Sequence, residues 1–168
     1  MIFVTVGTHE QGFDRLVEAV DRLKLEGTIT DDVFIQTGYT RYTPKACRWQ
    51  AFLSYDEMQE ALSTADRVIT HGGPASFMAV IAMGKCPLVV PRLKAEGEHV
   101  NDHQKEFLEK IEGKVPLVPI YHIADLAKQL SHSPQEQGAS AISSHTDAFV
   151  SDLEKAIHQL LKEKKSCQ

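Results

Sequence analysis

Short runs that are apolar at nearly every position recur along this sequence, and between them lie segments whose apolar residues repeat at helical spacing. A strand buried on one face alternates apolar and polar residues, whereas a strand buried on both faces stays apolar throughout. The pattern therefore predicts an α/β fold, a parallel sheet with helices on both faces. Such sheets hold ligands beyond the carboxyl ends of their strands. Chemistry is expected in the loops after Val6, Gln36, Leu53, Thr70 and Pro91.

The first run covers residues 1–6 and stops at Gly7; Phe13, Leu16, Val17, Val20 and Leu23 then mark a helix over 13–25. A second strand is expected at 33–36, ending at Gly38, with an irregular, partly basic stretch over 39–48. A short strand over 49–53 leads to a helix over 55–64, and a strand over 67–70 leads through "HGGPAS" into an apolar helix. "CPLVVPR" reads as a strand between prolines. A polar loop at 96–99, a helix over 101–111, a strand over 115–120 and a helix over 123–130 follow. A polar loop over 131–145 and an amphipathic helix over 146–164 complete one domain, which is what 168 residues accommodate.

Eighteen Lys and Arg against twenty-three Asp and Glu leave a net charge of -5 and no basic stripe, so nucleic acid is not an expected partner. The run "KEKK" at 162–165 reads as a solvated helix terminus or as a contact with an anionic membrane. Three widely spaced cysteines, Cys47, Cys86 and Cys167, suggest neither a disulfide framework nor a zinc site and fit a reducing cytosol. The apolar start lacks a basic flank and a cleavage site, and no stretch approaches 18 apolar residues. A cytoplasmic protein with at most peripheral membrane contact is expected. Asp66, Arg67 and the lone Trp49 read as structural, with the tryptophan expected to be buried.

"GTHEQG" after the first strand is neither a dinucleotide fingerprint, which needs glycine where His9 stands, nor a Walker loop, which needs Lys and Ser or Thr where Phe13 and Asp14 stand. It leaves Thr8 and His9 at a helix entrance, either as an anion site or as a plain strand-to-helix turn. "HGGPAS" offers paired glycines, Pro74 suited to a first helical turn, and Ala75 and Ser76 with N–H groups and a hydroxyl. A diphosphate would fit there. Close packing of helix on strand would use the same glycines.

His99 and His103 have the spacing of a helical metal pair beside Glu98 and Asp102, but no third ligand is placed and Gly97 interrupts the helix, so no metal is expected. Asn101, Asp102 and Gln104 suit hydroxyl recognition instead. No G-x-S-x-G anchors a hydrolase triad. No side chain announces itself as a catalytic base; His9 is the candidate.

The stretches "FVTVGTHEQGFDRLV", "ITHGGPASFMAVIAMGK", "PLVVPR" and "GEHVNDHQ" together resemble the C-terminal, donor-binding half of glycosyltransferase family 28. They are most similar to its short stand-alone members in bacterial exopolysaccharide and capsule synthesis and to the catalytic subunit of the dolichol-linked N-acetylglucosaminyltransferase. The resemblance implies a Rossmann-like sheet equivalent to half of a GT-B enzyme. It implies inverting, metal-independent transfer from a UDP-sugar to a polyprenyl-diphosphate-linked acceptor, without a cofactor, beside a membrane-anchored subunit that supplies the acceptor lobe.

Carried over by position, the resemblance puts Gly7, Thr8 and His9 on the phosphate and sugar side of the cleft, with Phe52 and Leu53 flanking the uracil. It assigns His71, Gly72, Gly73, Pro74, Ala75 and Ser76 to a diphosphate cradle, and Asp102 and Gln104 to the sugar hydroxyls. The C-terminal helix would dock the partner subunit. Family members usually place a glutamate one turn into the helix after Gly-Gly, where it binds both ribose hydroxyls; this chain has Ala79. That departure admits a second reading, a structural or regulatory homologue without turnover, and a lone homodimeric enzyme is the third.

Overall fold

The computed structural model describes residues 1–131. Ser131 ends the last described helix; the rest of the expected polar loop at 131–145 and the helix at 146–164 lie outside the described residues. Six strands form one parallel sheet: β1 (Ile2–Thr5), β2 (Val33–Gln36), β3 (Arg48–Gln50), β4 (Arg67–His71), β5 (Leu88–Val90) and β6 (Val118–Pro119). Their spatial order is β3-β2-β1-β4-β5-β6. The order reverses between β1 and β4, which pair from Ile2 with Arg67 to Thr5 with Thr70. A sheet of this kind opens a crevice at that point.

The helices are α1 (Asp14–Leu25), α2 (Tyr55–Thr64), α3 (Pro74–Ala82), α4 (His103–Ile111) and α5 (Leu126–Ser131). Successive residues of β1 face opposite ways, so Ile2 and Val4 pack with Leu16, Val17 and Val20 of α1 and Leu126 of α5. Phe3 packs on the other side with Ala61 and Leu62 of α2 and Val80 of α3. Phe77 and Ile81 of α3 join Val89 and Leu108 of α4 in a third cluster. The sheet is thus covered on both faces, which is why its strands carry no polar alternation.

Local chemistry sets the helix ends. Ser54 caps α2 in a reciprocal capping box with Glu57. Gly84, at φ 74°, ends α3 in a left-handed turn in which Gly84 N–H bonds to Ile81 and Lys85 N–H to Val80. That turn aims Lys85 at the end of α2, where its Nζ donates to the carbonyls of Leu62, Ser63 and Ala65 at 2.6 to 2.7 Å.

The irregular stretch over 39–48 is held from α1. Asp14 accepts the N–H groups of Arg41 and Tyr42, and Asp21 accepts those of Lys45, Ala46 and Cys47 together with the Tyr42 hydroxyl. Asp21 is fully buried. Burial pushes its pKa up, but the four donors outweigh that and hold it below the usual carboxylate value.

Several expected elements are shorter than the sequence pattern suggests. The strand expected over 49–53 is Arg48–Gln50, because the Gln50 amide turns back to donate to the Phe52 carbonyl and Ser54 starts α2. The helix expected over 101–111 starts at His103, the strand over 115–120 is Val118–Pro119, and 123–130 divides into a 3-10 turn and α5. Trp49 is 45% exposed, contrary to the expected burial, because β3 is the sheet edge and no described helix covers it there.

Candidate functional site

Gln36 organises the first loop from the end of β2. Its Oε1 accepts from the Thr5 hydroxyl at 2.8 Å and the Gly7 N–H at 3.1 Å, while Nε2 donates to the carbonyls of Gly7 and Ala51 at 3.0 and 2.9 Å. All four amide functions are used, so the loops after β1 and β3 are fixed to one side chain. Gly7 takes φ 74°, a left-handed turn that an L residue adopts at a cost.

Across the switch point, the His71 ring lies between two glycines. A Cβ at Gly7 would stand 2.6 Å from its Cε1, and one at Gly73 would stand 2.4 Å from its Nε2. A Cβ at Gly72 would stand 3.0 Å from Gln104 Cβ. Of the two reasons the sequence allowed for Gly-Gly, packing is met directly: one glycine admits the imidazole and the other admits Gln104. Burial, with Arg92 and then the neighbouring His9 and His99, pulls the His71 pKa down to about 4 against the Thr5 carbonyl, so the ring is neutral at pH 7.

The glycines also leave a helix end open. Gly73 is the N-cap of α3 and has no side chain to cap it, and Pro74 at the first helical position has no N–H. The N–H groups of Gly73 and Ala75 find no acceptor among the described residues, while Ser76 N–H bonds back to the Gly73 carbonyl at 3.0 Å. Free N–H groups at the positive end of a nine-residue helix suit an anion. In front of them a cleft of about 510 Å³ opens between α3 and α4, lined by Gly72, Gly73, Pro74, His99, Gln104 and Phe107 among others.

The loop after β5 is built around Arg92, which is 1% exposed. Its guanidinium donates to the carbonyls of Val6 and Gln11 at 2.7 Å and of Gly12 and Glu98 at 3.1 Å, and lies 4.8 Å from the centre of the Phe13 ring. Burial lowers its pKa to about 10, opposed by Glu98, so it stays charged at neutral pH. Arg15 adds a bidentate pair with the buried Glu98 at 2.8 and 2.9 Å and a bond to the Pro91 carbonyl. Glu98 also accepts the Leu93 N–H. Two loops about 80 residues apart in sequence therefore form one wall of the crevice.

Among the expected site residues, His9 lies beside His99 with ring centres 4.7 Å apart, and Thr8 is exposed near it. Burial lowers the His9 pKa, helped by His99 and Arg92 and opposed by Glu10. Gln104 Oε1 accepts the Arg92 N–H at 3.0 Å, and Asp102 Oδ1 accepts the Lys94 N–H at 2.9 Å, so each spends one polar atom on holding the loop. Phe52 is 43% exposed and makes an edge contact with Tyr39, ring centres 5.1 Å apart, while Leu53 packs partly into the core. Neither lines the cleft beside α3; they follow β3, the edge strand on the β2 side of the sheet.

His99 precedes α4 and His103 begins it, so the two do not share a helical face. Among the described residues no three of His, Cys, Asp and Glu gather as metal ligands. Ala79, in the second turn of α3, is half-buried. Gln36, Arg92, Tyr39 and His99 were not among the expected site residues. A polar residue closing an otherwise apolar strand was the available signal for Gln36, and Arg92 stands just past such a strand.

Residues 1–160 match the family model described as the glycosyltransferase family 28 C-terminal domain. A search of curated proteins gives no match. Among solved structures, the glycosyltransferase SnogD from Streptomyces nogalater is similar over 86% of this chain, with 18% identity and a TM-score of 0.50. The chain spans 35% of the length of SnogD. That likeness concerns the fold, while the family match extends over nearly the whole sequence. The chain belongs to the glycosyltransferase family 28 C-terminal domain family.

Proposed function

We propose that this domain binds the UDP-sugar donor of an inverting, metal-independent glycosyltransferase and that a membrane-anchored subunit supplies the acceptor lobe. The acceptor is a polyprenyl-diphosphate-linked saccharide, and the setting is polysaccharide synthesis at the inner face of the membrane. The observation that carries the reading is the uncapped start of α3, where the Gly73 and Ala75 N–H groups have no acceptor among the described residues and Gly73 lines a cleft that also borders Gln104. When the bond to the anomeric carbon breaks, negative charge grows on the departing diphosphate, and fixed N–H dipoles at a helix end stabilise that charge without reorganising. His71 to Ser76 form this cradle, Gly7, Thr8 and His9 its opposite wall, Asp102 and Gln104 hold sugar hydroxyls through their remaining polar atoms, and Phe52 with Leu53 flanks the uracil.

The test is calorimetric titration of the full chain, alone and with its partner subunit, against UDP and UDP-sugars. Binding that weakens when Gly73 is replaced supports the reading, and no nucleotide binding in either state refutes it. A second reading, a homologue that keeps the fold without turnover, is favoured by Ala79, whose methyl group accepts no hydrogen bond from a ribose. Ala79→Glu separates the two. A gain in UDP affinity of about tenfold or more, the worth of a charge-assisted bond, together with no transfer by the native complex, favours the second reading; transfer by the native complex removes it.

A further inference from the structure

The loops after β1 and β5 contain the same local device. His9 Nδ1 accepts the Gln11 N–H at 3.1 Å, and His99 Nδ1 accepts the Asn101 N–H at 3.4 Å, in each case from the residue two positions on. A ring nitrogen that accepts a backbone N–H carries no proton, so the neutral imidazole keeps its proton on Nε2. Both rings are thereby assigned, from their hydrogen bonds, to one tautomer.

The two rings come from different loops yet sit 4.7 Å apart, tilted by 37°. Their separation is fixed by more than their own contact. Arg92 binds carbonyls on both loops, Arg15 pairs with Glu98, and the Gln11 amide donates to the Gly97 carbonyl at 3.1 Å. Gln11 and Gly97 flank the two histidines, so these bonds hold the rings in register. His99 also lines the cleft in front of α3.

This arrangement restricts the chemistry. A general base needs an unoccupied ring lone pair, and in each ring Nδ1 is engaged and Nε2 is protonated. A general acid with a second ring proton would have to give up the backbone bond at Nδ1. Burial and the neighbouring Arg92 further disfavour a charged His9. What remains to each ring is one directed Nε2–H donor.

We propose that His9 and His99 form a pincer of two Nε2–H donors that grips the diphosphate oxygens of the bound nucleotide, as positioning residues that are neither acid nor base. The pincer rests on the reading that this domain binds a nucleoside diphosphate. It adds His99 to the site, and it assigns proton removal from the acceptor to neither ring.

The experiment uses the full chain labelled with 15N-histidine, long-range proton–nitrogen spectra at pH 7.5, and titration with UDP and with inorganic pyrophosphate. Both rings are expected as Nε2–H tautomers before ligand is added, and both Nε2 signals are expected to move as UDP binds. His9→Gln and His99→Gln, whose side-chain amides can restore a donor near Nε2, should bind UDP within about threefold of the native chain, while His9→Ala and His99→Ala should lose about tenfold each. Circular dichroism and thermal melts identify any variant that fails to fold, and the ring signals of the native chain test the pincer without variants. An Nδ1–H tautomer in either ring, UDP binding that leaves both ring signals unmoved, or alanine variants that bind like the glutamine ones would overturn the pincer alone. A native chain that binds neither UDP nor pyrophosphate would overturn the donor-site reading and the pincer with it.

Discussion

Replacing Arg92 by methionine removes the guanidinium while keeping a long apolar stem against Phe13. The charge-assisted bonds to Val6, Gln11, Gly12 and Glu98 are lost together. At about 1.5–3 kcal/mol for each bond to a charged group, a plain sum reaches roughly 6–12 kcal/mol. The native state, however, bears several kcal/mol of guanidinium desolvation that the variant escapes, and carbonyls near the loop surface recover water. A net loss of about 3–5 kcal/mol remains, in the range found when a buried charged network loses a member. For a chain of this size that is a fall in Tm of roughly 10–15 °C.

Urea unfolding followed by circular dichroism measures the loss directly, with the midpoint moving and the slope unchanged if the unfolded state is unaffected. Nucleotide titration at a temperature where the variant stays folded measures the second consequence, since the loop carrying His9 loses three of its anchors at Val6, Gln11 and Gly12. A destabilisation below about 1 kcal/mol would refute the assignment of Arg92 as the centre of the two-loop wall. Full stability loss with unchanged nucleotide affinity would separate the wall from the binding site.

Asp21→Asn should cost about 2–3 kcal/mol at pH 7, because an amide placed against four donors cannot accept them all. The folded pKa of Asp21 is depressed, so its contribution is complete above the unfolded value near ~3.9 and disappears as pH falls through the folded value. Urea midpoints of the native and variant chains should therefore converge as pH falls through that folded value. Gly73→Ala meets the His71 ring at 2.4 Å and should lower stability by about 1–3 kcal/mol in a thermal melt, even though φ there is an ordinary -72°. Burial, with the Asp21 carboxylate, pushes the Cys47 thiol up to about 12, so mass spectrometry after iodoacetamide treatment at pH 8 should find Cys47 unmodified in the folded chain and modified in urea.

The order of strands and helices is readable in the sequence because each is encoded within a few positions. Residues 33–36 and 55–64 fall where the apolar pattern puts them, and Pro74 and Gly84 mark the start and end of α3 through their own backbone limits. Edge elements are less legible. β3 and β6 depend on a single neighbouring strand, so residues 51–53 and 115–117 carry strand-like character that the sheet does not use.

Of the candidate site, the sequence shows an open helix end and not the contacts around it. Gly-Gly-Pro announced an open helix end, but only the folded chain shows that Gly73 makes room for His71 and Gly72 for Gln104. The wall of the crevice was invisible beforehand, because Arg92 reaches Val6 across 86 positions and Arg15 reaches Glu98 across 83. No local pattern encodes such pairs; they exist because the parallel sheet brings the carboxyl ends of β1 and β5 to one edge. The sequence by itself determined the layers, their order and the loops at the carboxyl ends of the strands. Tertiary structure decided which polar atoms those loops use on one another, and hence which remain for a ligand, since a buried polar group must find its partner wherever the fold places one.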